Sequence, residues 1–215
     1  MKLALFDCDG TLVDSAAVIH ACMERTFVDF GAARPTLDLT KSIIGLTLDL
    51  AIAQMLARPV DEEITAMTAR YKEHFTLHRE SGGAPEPAYD GILPLIDALA
   101  GRDDVILGVV TGKSRRGLDA ILANHDMTKS FFVTRTADDC PSKPHPAMVL
   151  ECCAHAGITP ENTVVIGDAI YDMQMAVNAG ARGIGVAWGY APVDALHAAG
   201  ARHVVNRADE IAALI

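Results

Sequence analysis

Leu3-Ala4-Leu5-Phe6-Asp7-Cys8-Asp9-Gly10-Thr11-Leu12-Val13-Asp14-Ser15 opens the chain: an apolar run into two carboxylates and a Gly-Thr turn. Side chains on a strand alternate sides, so Asp7 and Asp9 start on one side and Cys8 on the other. Cys8 then reads as a small core residue. Two like charges a few ångströms apart repel unless a cation sits between them. A hard divalent ion with oxygen ligands, typically Mg²⁺, resolves that repulsion. A carboxylate beside such an ion can also attack phosphorus, since aspartyl phosphate is an established covalent intermediate. An acidic loop at a strand end is common too, and on the dyad alone the two readings are evenly matched.

Outward from this stretch, short apolar runs read as buried parallel strands and longer periodic runs as helices. Strands are expected at Leu3–Phe6, Val105–Val110, Phe131–Val133, Thr163–Ile166, Gly183–Ala187 and His203–Val205. Helices are expected at Ile92–Ala100, Ser114–Ala123, Pro146–Ala156, Tyr171–Ala179, Pro192–Ala199 and Ala208–Ile215, with Gly157 and Gly180 as C-terminal caps. This alternation predicts an α/β fold: a Rossmann-like parallel sheet with helices on both faces and its site at the carboxyl ends of the strands. From Ala16 to Ser81 no strand-like run occurs, while Ile19, Met23, Phe27 and Phe30, then Ile64, Met67, Tyr71 and Phe75, recur at helical spacing. That predicts an inserted helical cap over 16–81, with the core in 1–15 and 82–215 and a return hinge at Ser81–Pro85. An insert leaving beside a reactive strand end is placed to act as a lid.

The chain has 215 residues, half of them hydrophobic, and a net charge of −10. A chain of this size buries roughly 70% of the surface that its unfolded form exposes, so its core needs no staples. The acidic balance argues against nucleic acid and anionic membranes as partners. The five cysteines form no Cys-x-x-Cys pair, which fits a reducing cytoplasm better than a disulfide framework or structural zinc. No run reaches the ~18 apolar residues of a membrane span. Asp7 and Asp9 interrupt what a signal peptide would need, so the opening reads as a cytoplasmic N-terminus. The composition suits a monomer or a homodimer.

The other strand ends carry further chemistry. Thr111-Gly112-Lys113-Ser114 offers a hydroxyl and free N–H groups to a phosphate; it is no P-loop, because Leu107 stands where that motif needs Gly. Thr111 or Ser114 can also serve as a helix N-cap. Lys143, in Ser142-Lys143-Pro144-His145-Pro146, could neutralise a bound phosphate and an attacking carboxylate together, although a lone lysine is more often a solvated charge. Gly167-Asp168-Ala169-Ile170-Tyr171-Asp172 brings a second acidic pair, read as i, i+4 on the first turn of a helix. Asp7, Asp9, Asp168 and Asp172 would put four negative charges in one cleft, against Lys143 and a dication. His74 and His78 lack the Glu of a zincin motif and read as ordinary histidines, and Trp188 and Tyr190 read as packing residues.

Asp7-Cys8-Asp9-Gly10-Thr11, Thr111-Gly112, Lys143 and Gly167-Asp168 with Asp172, in this order, resemble the four motifs of the haloacid dehalogenase-like hydrolase superfamily. The resemblance covers essentially the whole chain. Asp14-Ser15 and Tyr89-Asp90-Gly91 look like its phosphoglycolate phosphatase-like subgroup. It implies a Rossmann-like core with a helical cap. It also implies that Asp7 attacks phosphorus while Asp9 protonates the leaving oxygen and then activates water. Mg²⁺ would be held by Asp7, the backbone carbonyl of Asp9, and Asp168, with Asp172 supporting a metal-bound water or orienting Lys143. Thr111, the Gly112 N–H and Lys143 would hold the phosphoryl group, and the Ile44-Gly45-Leu46-Thr47 turn would be the cap's substrate loop. Lys41 is expected to lie too far from that turn to serve it. Asp9 speaks against dehalogenation, because the haloacid dehalogenases lack that second aspartate. Gly112 stands where many members have Asn and Ala169 where many have Thr, departures that bear on substrate positioning. The expected substrate is a small phosphorylated metabolite such as phosphoglycolate, with other sugar phosphates, nucleoside monophosphates and pyrophosphate open. Alternatives are a β-phosphoglucomutase-like isomerase and a non-catalytic phospho-ligand binder on the same fold.

Overall fold

Six short runs form strands, β1 (Lys2–Phe6), β2 (Val105–Val110), β3 (Val133–Arg135), β4 (Thr163–Gly167), β5 (Arg182–Val186) and β6 (Ala201–Val205), in a computed structural model that describes residues 1–82 and 85–215. They pair in parallel in the order β3-β2-β1-β4-β5-β6. β1 lies between β2 and β4, with Phe6 level with Val109 on one side and Ile166 on the other. The strand order reverses at β1, which is where sheets of this kind open a crevice beyond their carboxyl ends. Asp7 is therefore the first residue past the sheet at the crevice. The expected return hinge lies partly outside the described residues.

Alternation along β1 sorts the two faces of the sheet. Ala4 and Phe6 join one apolar cluster with Cys8, α5 (Ile92–Ala100) and α6 (Arg115–Asn124). Leu3 and Leu5 join another with α7 (Ala147–Ala156) and α8 (Ile170–Ala179). α9 (Val193–Ala198) packs through Leu196 against Met173 beside β6. Gly157 and Gly180 take left-handed conformations (φ 67° and 76°) as C-caps of α7 and α8. β3 starts two residues later than the sequence predicts, and Ala208–Ala213 forms a 3₁₀ turn rather than an α-helix.

Between β1 and α5 the chain forms α1 (Ala16–Asp29), α2 (Leu37–Ile43), α3 (Leu48–Met55) and α4 (Glu62–Glu80). Ile19, Met23 and Phe27 of α1 meet Ile64, Met67 and Tyr71 of α4 in an apolar cluster separate from the two on the sheet. Thr36 and Asp61 cap α2 and α4 by accepting from the N–H groups of Leu39 and Ile64. His74 is a partner of Asp29 (2.8 Å) on this block, the ordinary role that the sequence suggests. Among the described residues, no helix is long and apolar enough to cross a membrane.

Candidate active site

Asp7 is the centre of the site. Only 1% of its surface is exposed, and Lys143 Nζ lies 2.7 Å from its Oδ1. Beyond this ion pair, no described group donates to either Asp7 oxygen. Burial pushes the Asp7 carboxyl up to about 7 against the pull of Lys143, with Asp172 and Asp9 adding repulsion. Lys143 is itself buried, 1% exposed, and its Nζ donates to Asp172 Oδ1 at 2.5 Å. Burial alone would lower this ammonium, but Asp172 and Asp7 outweigh it and hold it above the usual lysine range. The sequence left Lys143 between a solvated charge and a site residue; the structure buries it between two carboxylates.

Asp168 lies directly after β4 and before the N-cap of α8, not on the helix's first turn, so it shares no helix face with Asp172. The expected i, i+4 pair is replaced by two separate roles. Asp168 Oδ1 accepts from the Thr11 hydroxyl (3.0 Å), and Oδ2 accepts from the N–H of Tyr190 (2.9 Å). A Cβ on either Gly10 or Gly189 would collide with this carboxylate, so two glycines form its cradle. Burial, then Asp7 and Asp172, raise its pKa well above the carboxylate range. Asp172 stands in the first turn of α8, and its Oδ2 accepts from the N–H of Ala169 (3.1 Å). The methyl group of Ala169 cannot return that bond, so the cap is half of a reciprocal pair.

Carboxylate oxygens of Asp7, Asp168 and Asp172 lie within 4.8 Å of one another. Two of the three carry raised pKa values, and apart from Lys143 no described group donates to the two buried oxygens of Asp7. A hard dication would answer all of these features, so the residues present fit Mg²⁺. The Asp9 carboxylate stands outside this group.

Asp9 Oδ1 instead accepts from the Ser15 hydroxyl (2.6 Å) and from Lys113 Nζ (2.7 Å). Lys113 also reaches Glu86 (3.2 Å) and lies 5.3 Å from the Phe75 ring centroid. Burial would lower this ammonium too, but Asp9 and Glu86 hold it above the usual range. Two buried lysines thus face five carboxylates, where the sequence counted one lysine against four. Lys113 was legible only as the residue after Thr111-Gly112, and Glu86 carries no sequence signal of its own. Trp188 and Tyr190 do more than pack. Trp188 Nε1 donates to the Thr11 carbonyl, and the Tyr190 hydroxyl accepts from the N–H groups of Ser15 and Ala16. Both therefore hold the loop that carries Asp9.

Thr111 is buried after β2; its hydroxyl accepts from the Lys113 N–H (3.1 Å), and no described residue accepts its proton. Ser114 caps α6 by accepting from the N–H of Gly117. Gly112 lies directly under the carbonyls of Gly45 and Leu46. These groups floor a cavity of about 600 Å³ that Asp7 and Asp9 enter from below. Its walls include Ile19, Met23, Leu46, Tyr71 and Phe75 from the helical block. Lys41 lies 5.8 Å from the Tyr190 ring centroid and does not line the cavity.

The sequence profile of haloacid dehalogenase-like hydrolases matches residues 4–186. The protein named "Probable phosphatase IndB" of Dickeya dadantii (strain 3937) is 32% identical over 97% of this chain and 91% of its own length. A phosphoglycolate phosphatase of Agrobacterium fabrum (strain C58 / ATCC 33970) is 31% identical over 89% of this chain and 82% of its own. The crystal structure titled a predicted phosphatase from Clostridium acetobutylicum superposes with a TM-score of 0.87 at 25% identity, covering 98% of this chain and 95% of that one. With the motif residues gathered at one crevice and these likenesses spanning nearly its full length, the chain belongs to the haloacid dehalogenase-like hydrolase family.

Proposed function

We propose that this hydrolase is a Mg²⁺-dependent phosphatase that cleaves a small phosphorylated metabolite through an aspartyl phosphate on Asp7. The observation that carries this reading is Asp7 itself. It is a buried carboxylate at the floor of a large cavity, ion-paired with Lys143, and no other described group donates to either of its oxygens. A carboxylate kept only for stability would be hydrogen-bonded.

In the first step an Asp7 oxygen bonds to phosphorus and the ester P–O bond breaks, with Asp9 giving its proton to the leaving oxygen. In the second, Asp9 takes a proton from water, the water oxygen bonds to phosphorus, and the bond to Asp7 breaks, releasing phosphate. The Ser15 hydroxyl and Lys113 hold Asp9 where it can serve both steps. Thr111, the Gly112 N–H and Lys143 are the donors for the phosphoryl oxygens, whose charge spreads as the bond breaks. Asp7, the Asp9 carbonyl and Asp168 would hold Mg²⁺, which neutralises the carboxylates and the incoming phosphate, and Asp172 orients Lys143. Residues 16–81 act as a cap over a core of 1–15 and 82–215, with Gly45 and Leu46 as its substrate loop. Five buried free cysteines support work in a reducing cytoplasm.

Phosphate release from a panel of phosphorylated metabolites tests the reading, phosphoglycolate first because of the relative that bears that name. Release should require Mg²⁺, stop with EDTA and be absent in Asp7→Asn. Isomerisation of a sugar phosphate without release would point to a mutase. Turnover by Asp7→Asn would overturn the proposal.

A further inference from the structure

The turn at 44–47 does not hang over the site; it is seated on the core at three places. Thr47 N–H donates to the Ser142 hydroxyl at 2.9 Å, beside Lys143. Gly45, with φ of 108°, faces α8 so closely that a Cβ on it would lie 3.2 Å from the Ala169 methyl carbon and 3.5 Å from the Tyr171 ring. The tightest contact is at Gly112. A Cβ there would come within 2.7 Å of the Gly45 carbonyl oxygen and closer still to that of Leu46. Both obstacles are backbone, so no side chain could swing aside and the loop would have to move as a body. Farther out, Gln54 donates to the Tyr171 hydroxyl, which donates in turn to the Ser42 carbonyl.

We infer that Gly112, with Ala169 beside it, is a specificity-determining seat: its missing side chain sets how close the 44–47 turn comes to Asp7, and so how large a substrate body fits next to the phosphate. Loop and seat both line the cavity that holds Asp7 and Asp9. A side chain at 112 lifts the turn, breaks the Thr47–Ser142 bond and widens the space over the phosphate. The activity part of this inference rests on the phosphatase reading; the structural part does not.

The test uses the full chain as wild type, Gly112→Ala, Gly112→Asn and Tyr171→Phe. Hydrogen exchange is followed first, without metal or substrate. Both Gly112 variants should lose protection across 46–48 by roughly tenfold or more while the sheet amides stay protected. If the sheet of Gly112→Asn also loosens, Gly112→Ala decides. Tyr171→Phe, which frees the outer tether alone, should give a smaller loss. Next, kcat/KM is compared for phosphoglycolate and for a bulkier sugar phosphate, glucose 6-phosphate. Both place the same group at Gly112, so damage to phosphate holding cancels in their ratio. The ratio should shift by roughly tenfold in favour of the bulkier ester. Unchanged exchange at 46–48 would overturn the seat, and lost protection with an unchanged ratio would overturn its role in specificity. No phosphate release by any protein, wild type included, from these two esters or from any other member of the phosphorylated panel would overturn the phosphatase reading and the specificity role together, while the exchange result would still decide the seat.

Discussion

The floor and the walls of the cavity are built on opposite principles. The floor is the row of strand ends after β1, β2 and β4 together with the loop before α7 that brings in Lys143, where carboxylates and lysines are fixed by ion pairs and by cradling glycines. The walls from α1 and α4 set the apolar and aromatic side chains of Ile19, Met23, Tyr71 and Phe75 among hydroxyl groups and the charged Lys72 and Arg79, none of them in the ion pairs of the floor. A buried ion cluster is expensive to hold and pays only where chemistry uses it. Walls that mix apolar surface with a few polar groups select by shape and by a small number of contacts. On the proposed reading, the floor makes and breaks bonds and the walls choose the substrate.

The largest effects should therefore come from the floor. Asp7→Asn should lower kcat by roughly 10³-fold or more in a phosphate-release assay, as loss of a nucleophile does. Lys143→Met leaves Asp7 and Asp172 facing each other without their cation. It should destabilise the fold by about 3–5 kcal/mol in chemical denaturation, and a second change, Asp172→Leu, should recover part of that. Asp9→Asn should cost roughly 10²-fold in kcat. A wall change such as Leu46→Ala should act on KM by several-fold and leave kcat within about twofold. Should Leu46→Ala instead lower kcat as far as Asp9→Asn does, the division between floor and walls would fail.

The smallest prediction concerns stability against pH. In the metal-free protein the Asp7 pKa of about 7 lies above its unfolded value of 3.8. Its contribution to stability is thus complete below pH 3.8 and is lost as pH rises through 7. Asp7→Asn lacks that loss. At pH 8 without metal the variant should melt about 4 °C or more above wild type, and the gap should close toward pH 4. Equal melting at pH 8 would show that Asp7 is not held against its own charge.

What the sequence revealed follows the same divide. β1, β2 and β4 were legible because each is an uninterrupted apolar run buried on both faces. β3 was misplaced by two residues because it is an edge strand. Its polar Thr134 and Arg135 pair with β2, while Phe132, which looks like strand, is 61% exposed. Asp7, Asp9 and Asp168 could be found because carboxylates at strand ends are costly. The burial of Lys143 was not legible, since a lysine in a loop has no local mark of what surrounds it. The roles of Lys113, Glu86 and Tyr190 were not legible because their partners come from distant parts of the chain. Gly112 and Ala169 could be flagged as departures, but only the folded chain shows that both lie against one loop.

The most direct test of the central claim is whether Asp7 carries the phosphoryl group. Asp9→Asn protein would be mixed with Mg²⁺ and acetyl phosphate, whose leaving group needs no proton, quenched in acid and digested for mass spectrometry. The account predicts a gain of one phosphoryl mass on the peptide containing Asp7, lost in the Asp7→Asn, Asp9→Asn double variant. Turnover by the wild type with no phosphoryl group trapped on Asp7, or one trapped at another residue, would contradict it.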